Sequence, residues 1–312
     1  MRGIAGLTGW QWMFLLEGLF TILAGILFIC AFPGTPSNPV TLTGIKYFNE
    51  REITILQTRV LIDDPAKVQK KPYIDIRDIV KTLSSGKLWL HVLLTIAGLA
   101  PSNALWIYAP SMVASFGFDR LGSNAMTSVG QWISVILVII AGFWADKWGR
   151  RGYVVAIAVS IQFIFTVAYK GLPDTASAGV KYGILTMASA TCSWWHAVHG
   201  SWIAVNSRSP AERSIRMAMF ITAANVAGIV GGQLFRADDK PFYHRGWTIA
   251  VAFLSLAVAT VGVLLVLYKV ANRKISAEKE EAERISPRKD SSEGVAGLSA
   301  EEAKARFKLF NY

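Results

Sequence analysis

Long apolar runs alternate along this chain with short polar, mostly basic segments. Seven runs reach the roughly 20 residues needed to cross a bilayer core. They cover residues 10–32, 88–115, 124–144, 152–171, 180–205, 215–235 and 246–270. The first is too long for a signal-peptide core and lacks a small-residue cleavage region after it, so it is expected to be a true span. Between the first two runs the pattern changes. Pro33, Pro36 and Pro39 stop the first helix. Ile45, Phe48, Ile53, Leu56 and Val60 then recur at helical spacing, which predicts an amphipathic helix over 45–60, lying on the membrane or on helix ends. After 270 the chain is charged, with Ser286-Pro287 and a Ser/Gly stretch at 291–299, which predicts a short helical start and then disorder. The expected organisation is a single span (1–36), a central loop (37–87), a six-helix domain (88–270) and a tail (271–312).

Composition agrees with an all-α integral membrane protein. Of 312 residues, 53% are hydrophobic and 17% charged, against about 45–50% and 25% in soluble domains. The mean hydropathy is +0.38. Two cysteines, Cys30 and Cys192, cannot build a disulfide framework or a four-cysteine zinc site. The sequence holds no phosphate loop, nucleophile elbow or metal-ligand set, so neither an enzyme nor a cofactor is expected.

The net charge of +11 would suggest nucleic acid in a soluble chain. Here the basic residues flank apolar runs, so the expected partner is a lipid bilayer and not nucleic acid. Twenty-five Lys and Arg fall in residues 37–87, 145–151, 206–216 and 269–312, against six in the opposite loops. By the positive-inside rule the central loop and C-terminus are expected in the cytoplasm and the N-terminus outside.

The sharpest motif is Gly142-x-x-x-Asp146-Lys147-x-Gly149-Arg150-Arg151, a very tight turn between two spans. Gly149 suits a positive backbone angle. Asp146 can pair with an arginine or cap a helix, and Arg150 and Arg151 suit an anionic leaflet. One reading is a topology anchor. The other is a gating latch whose charge pairs break and reform between two conformations.

This motif is similar to the repeated loop signature of the major facilitator superfamily. The run from Gly9 through Trp10-Gln11-Trp12-Met13-Phe14-Leu15-Leu16 to Glu17-Gly18 resembles the start of the sixth helix in its anion:cation symporter branch, which includes fungal allantoate, nicotinate and pantothenate permeases. Leu42-Thr43 through Glu50-Arg51 to Arg59-Val60 with Asp63-Asp64-Pro65, then Trp202 to Asn206, Pro210, Arg213 and Asn225, continue the likeness. Gly231-Gly232-Gln233-Leu234-Phe235 through Asp239 to Tyr243 resembles the outer loop before the last helix. The resemblance covers residues 9 to about 270. It implies the sixth to twelfth helices of a twelve-helix fold: the C-terminal six-helix half and one helix of the N-terminal half. The five preceding helices have no counterpart here, which implies an N-terminally truncated chain. Its cavity needs the missing half or a second chain.

Polar residues within spans are costly, which makes them candidates. Glu17 lies about 10 Å into the first span at 1.5 Å per residue; it can carry a coupling proton or pair with a neighbouring helix. His196 and His199 sit three residues apart, on one helical face with Cys192, Trp195, Trp202 and Asn206. Such imidazoles can pair with an anion or a proton, and an indole can stack on a planar substrate; helix–helix hydrogen bonding is the plainer reading. Asn225 lies beside Ala224-x-x-x-Gly228-x-x-x-Gly232, a stripe that permits close helix approach. Asn103 is expected in a span broken by Pro101 and Pro110, and Gln131 and Gln162 complete the cavity candidates. No third ligand accompanies the histidines, so no metal site is expected.

The resemblance implies a secondary active transporter, proton-coupled, carrying a small organic anion across the plasma membrane. The alternative is a non-transporting half-transporter acting in assembly. A seven-span receptor fits poorly: the last span offers no lysine for a retinal, and the cysteines cannot form an external disulfide. With the chromosomal C-terminus tagged, the native band is expected to exceed 34.2 kDa by roughly 15–20 kDa, about five spans and a tail. A band at 34.2 kDa would favour the assembly reading.

Overall fold

A computed structural model describes residues 3–35, 38–63 and 74–285, all helical apart from turns and two isolated bridges. The chain divides into two compact units, Met1–Lys70 and Lys71–Tyr312.

In the first unit, α1 spans Gly9–Ala31. It is apolar on all sides, has no buried residue, and is long enough to cross a membrane. Gln11 Oε1 accepts from the Thr8 N–H at 2.8 Å and closes its first turn. Thr43 Oγ1 donates to the Cys30 carbonyl at 3.1 Å, tying the following loop to the helix end. The next helix, α2, spans Glu50–Asp63. It begins five residues later than the apolar spacing predicts, because Asn49 and Glu52 cap it reciprocally, each accepting the other's N–H at 2.9 Å. Ile45 instead donates its N–H to Thr41 Oγ1 in the loop.

The second unit holds α3 (Ile76–Leu83), α4 (Gly86–Ala114), α5 (Arg120–Trp148), α6 (Arg151–Lys170), α7 (Ala178–Ala190), α8 (His196–Val205), α9 (Pro210–Gly231) and α10 (His244–Ile285). The short helix α3 is capped by Asp75 and packs on α9; the sequence reading left it inside the central loop. The last helix continues 15 residues past 270, as one helix to Ile285. The disorder expected beyond it lies outside the described residues.

Six of the described helices are long and apolar enough to span: α1, α4, α5, α6, α9 and α10. The span expected at 180–205 is two helices of 13 and 10 residues, with non-helical backbone from Thr191 to Trp195. Local side chains compete for the helical carbonyls there. Thr191 Oγ1 bonds to the Met187 carbonyl at 2.9 Å and the Cys192 thiol to the Ala188 carbonyl at 3.2 Å. Ser193 turns to φ 53°, outside helical space. By contrast, α4 is not broken. It runs continuously through Pro101 and Pro110.

Hydrophobicity alone does not drive helices together in lipid, because lipid tails are as apolar as leucine. Close packing and hydrogen bonds must supply the attraction. The main crossing, α4 on α9, accordingly uses small residues from both sides: Ala100 and Ala104 against Ala223, Ala227 and Gly231. This stripe is one residue out of phase with the expected Ala224–Gly228–Gly232 series. A Cβ at Gly231 would lie 2.5 Å from the Ala100 carbonyl oxygen and 3.1 Å from the Ala104 nitrogen, whereas one at Gly228 would meet nothing within 4 Å. Gly231→Ala is therefore expected to destabilise by about 1–3 kcal/mol through overpacking. Gly228→Ala is expected to be neutral. Thermal denaturation of the detergent-solubilised variants, followed by gel filtration, checks the contrast.

Candidate functional site

Two features of the second unit stand out: a charged turn at one end and a buried polar network inside. The turn joins α5 to α6. Gly149 closes α5 at φ 63°, the left-handed conformation in which a glycine carries no penalty, and its N–H returns to the Ala145 carbonyl. Asp146 Oδ1 pairs with Arg151 Nη2 at 3.0 Å across the turn. Lys147 lies 6.0 Å from the Phe143 ring centre, and Arg150 is exposed. Gly142 is half-buried one turn before Asp146. The carboxylate is 77% exposed, so the pair contributes at most about 1 kcal/mol. It can open and close at little cost.

The network begins where the α4 ladder is weakened. Pro101 has no N–H for the Ala97 carbonyl, and nearby polar side chains crowd the same stretch. Ser102 Oγ donates to the Gly98 carbonyl at 3.1 Å, and Gln162 Nε2 from α6 donates to that carbonyl at 3.4 Å and to Ser102 Oγ at 2.9 Å. The Trp195 indole N–H donates to Gln162 Oε1 at 2.8 Å, and Trp194 donates to the Ala158 carbonyl at 3.2 Å. The broken segment between α7 and α8 is thus pinned to α6 by two indoles. Trp195 packs against Gly98, where a Cβ would strike its ring.

One turn further along α8, His199 Nε2 sits 2.9 Å from His91 Nδ1 of α4, and His91 Nε2 sits 3.0 Å from the Tyr268 hydroxyl of α10. All three are fully buried, and Trp202 packs edge-on against His91 at 4.9 Å between ring centres. Lys87 lies 4.7 Å from the Tyr268 ring centre. Outside the membrane-spanning segments, the Arg245 guanidinium hydrogen-bonds Asp238 and holds its carboxyl below the usual carboxylate range.

Of the residues singled out from sequence, Trp195, His199 and Gln162 come together in this buried network. His196 is half-buried beside them, stacked on Phe220 of α9 at 4.4 Å. Cys192 lies within the break and shares no continuous helical face with His199. Asn103 is half-buried at the α4–α9 crossing, close to Gly231. Asn225 is exposed and bonds its own helix at the Ile221 carbonyl, 3.0 Å away. Gln131 is exposed on α5, and Glu17 is exposed on α1 of the first unit. His91, Ser102 and Tyr268 were missed. His91 carried a weak signal, as an ionisable side chain near the start of an apolar run; Tyr268 carried none. A pocket of about 130 Å³ at the other end of the bundle, lined by Tyr169, Lys170, Asp174, Lys181, Phe242 and His244 among others, shares no residue with these candidates. Among the described residues, no three His, Cys, Asp or Glu side chains converge on a metal position.

Comparison with known proteins matches residues 2–232 to the Major Facilitator Superfamily. An uncharacterized transporter of Saccharomyces cerevisiae is 27% identical over 283 residues, which is 88% of this chain and 52% of that protein. An MFS-type transporter of Penicillium expansum is 24% identical over 80% of this chain and 49% of its own length. The high-affinity nicotinic acid transporter of S. cerevisiae is 24% identical over 86% of this chain and 48% of its own length. The chain spans about half the length of these curated relatives. No solved structure matches it significantly. The family is one of transporters and not of enzymes. Its helices, its tight charged turn and the match over most of its length agree that this chain belongs to the major facilitator superfamily.

Proposed function

We propose that the chain supplies the C-terminal half and the preceding helix of a proton-coupled symporter for a small organic anion at the plasma membrane, within the anion:cation symporter branch. The observation that carries this reading is the break between α7 and α8, in a chain of a transporter superfamily. Discontinuous helices are where transporters place substrate and ion sites, near the bilayer midplane. The break is held by indoles and a glutamine and followed by two histidines. Similarity to a nicotinic acid transporter favours a carboxylate as the substrate class.

In this mechanism the other half of the cavity comes from an N-terminal half or a second chain. The anion binds between the halves, and rocking of one half on the other exposes it to each side in turn. His196, Asn103, Asn225 and Gln131 are the polar groups assigned to substrate, with Trp195, His199 and Gln162 supporting them from within the bundle. Glu17 and His199 are assigned to proton coupling. A proton taken up with the anion offsets its charge and links uptake to the proton gradient. The Asp146–Arg151 turn acts as the latch, with the basic loops and the C-terminus on the cytoplasmic side.

Cells expressing the complete gene product are expected to accumulate radiolabelled nicotinate, allantoate or pantothenate faster from medium at pH 5 than at pH 7. Accumulation must collapse with a protonophore. Uptake of all three at background level, with normal surface abundance, would refute the anion reading. Asp146→Ala is expected to insert normally, since the pair is exposed, yet to slow initial uptake. Normal initial rates at normal abundance would reduce the turn to a topology anchor.

A further inference from the structure

The buried contact of Tyr268, His91 and His199 has a property that simple helix packing does not require. A neutral imidazole has one donor nitrogen and one acceptor nitrogen. Both nitrogens of His91 are engaged, so its two bonds must run in the same direction along the chain. In one sense Tyr268 donates to His91 Nε2, His91 Nδ1–H donates to His199 Nε2, and His199 Nδ1 carries the terminal proton. In the other sense every proton sits at the opposite end of its bond, and His199 Nδ1 is a bare acceptor. Only one sense holds at a time, and the passage of a single proton converts it to the other.

The two ends differ. His199 Nδ1 is buried with no hydrogen-bond partner, and so is His196 Nδ1 one turn away. Two unpartnered imidazole nitrogens one turn apart on α8, just after the helix break, make an open end. His196 is half-buried, so it lies nearer the surface. At the other end the Arg216 guanidinium is within hydrogen-bonding reach of the Tyr268 hydroxyl, and Lys87 stands over its ring. Arg208, in the turn before α9, lies near Lys87 at that end. The charged and titratable groups around the chain are Lys87 on α4, His196 on α8, Arg216 with its 2.7 Å partner Glu212 on α9, and Arg208 near Lys87. The flanking cations favour a chain that passes protons over one that stores them.

We propose that His199, His91 and Tyr268 form a proton-conducting chain that carries the coupled proton from the helix break to the basic end of the bundle. This deepens the symport reading above and rests on it. A proton binds His199 Nδ1; the Nε2 proton of His199 passes to His91 Nδ1; the Nε2 proton of His91 passes to the Tyr268 oxygen; and the original hydroxyl proton of Tyr268 leaves past the Glu212–Arg216 pair to water at the basic end. One proton enters, one leaves, and no charge remains. The chain then points the other way. Unless the proton runs back, it resets when the three groups part and rotate, and they sit on three different helices. Proton transfer and helix movement are thereby bound to one cycle.

Two measurements on the complete gene product test this. In lipid nanodiscs with ¹⁵N-labelled histidine, a nitrogen–nitrogen coupling across the His91–His199 bond is expected, with both rings averaging between tautomers. Tyr268→Phe keeps the ring but removes the hydroxyl, and should freeze both rings in one tautomer. A missing coupling, rings already fixed in the wild type, or rings indifferent to Tyr268→Phe would overturn the chain without reference to any substrate. In proteoliposomes loaded with nicotinate, allantoate or pantothenate, Tyr268→Phe and His91→Gln should lower gradient-driven accumulation about tenfold or more while substrate exchange without net proton movement persists. Unchanged accumulation, or equal loss of accumulation and exchange, would overturn it. If the wild type exchanges a substrate but never responds to the pH gradient, the symport reading itself fails, and the transport role of the chain with it.

Discussion

Every break in a backbone ladder at membrane depth must be repaired from within the protein. There is no water there, and an unmade hydrogen bond costs several kcal/mol. Much of the second unit can be understood from this one constraint. Pro101 disturbs the α4 ladder, and Ser102 and Gln162 gather at the neighbouring Gly98 carbonyl. The helix is interrupted over residues 191–195, and Thr191, Cys192 and two indoles take up bonds around the gap. The polar side chains of the interior are therefore connected. Gln162 alone links α4, α6 and the broken segment.

The same constraint separates what was legible in the sequence from what was not. Runs of about 20 apolar residues announce helices directly, so α1, α4, α5, α6, α9 and α10 could be placed from composition. The tight turn was also legible, because a glycine between a carboxylate and two arginines has few structural uses. The break inside 180–205 was not. Its residues are apolar enough to continue a span, and only Thr191-Cys192-Ser193, three side chains able to bond backward, hinted at an interruption. Hydrophobic spacing points to a start for α2 five residues too early, because the Asn49–Glu52 capping pair decides where the helix begins. The buried chain was invisible because His91 lies 108 positions from His199 and 177 from Tyr268. Local periodicity carries no information about such pairs.

Packing between α4 and α9 teaches a narrower lesson. Two interleaved small-residue stripes run along α9, and both satisfy the spacing rule for close approach. The residues between them decide which one meets α4. Phe220 is buried with the Ala223–Ala227–Gly231 series, whereas Asn225, Val226 and Ile229 are exposed around the other. A motif of small residues identifies a helix that can be approached closely. The flanking bulky side chains identify the face.

The length of α10 adds a mechanical consequence. Its 42 residues make a rod about 63 Å long at 1.5 Å per residue, roughly twice the thickness of a bilayer core. Tyr268 fixes this rod to His91 well before its end, and the helix continues without a break to Ile285. It is therefore a lever with its fulcrum inside the bundle and an arm about 25 Å long beyond it. A tilt of about ten degrees at the fulcrum would sweep the tip through about 4 Å on that geometry. Small rearrangements around the buried histidines are thus magnified at Ile285, where a partner or a spectroscopic label can detect them outside the lipid.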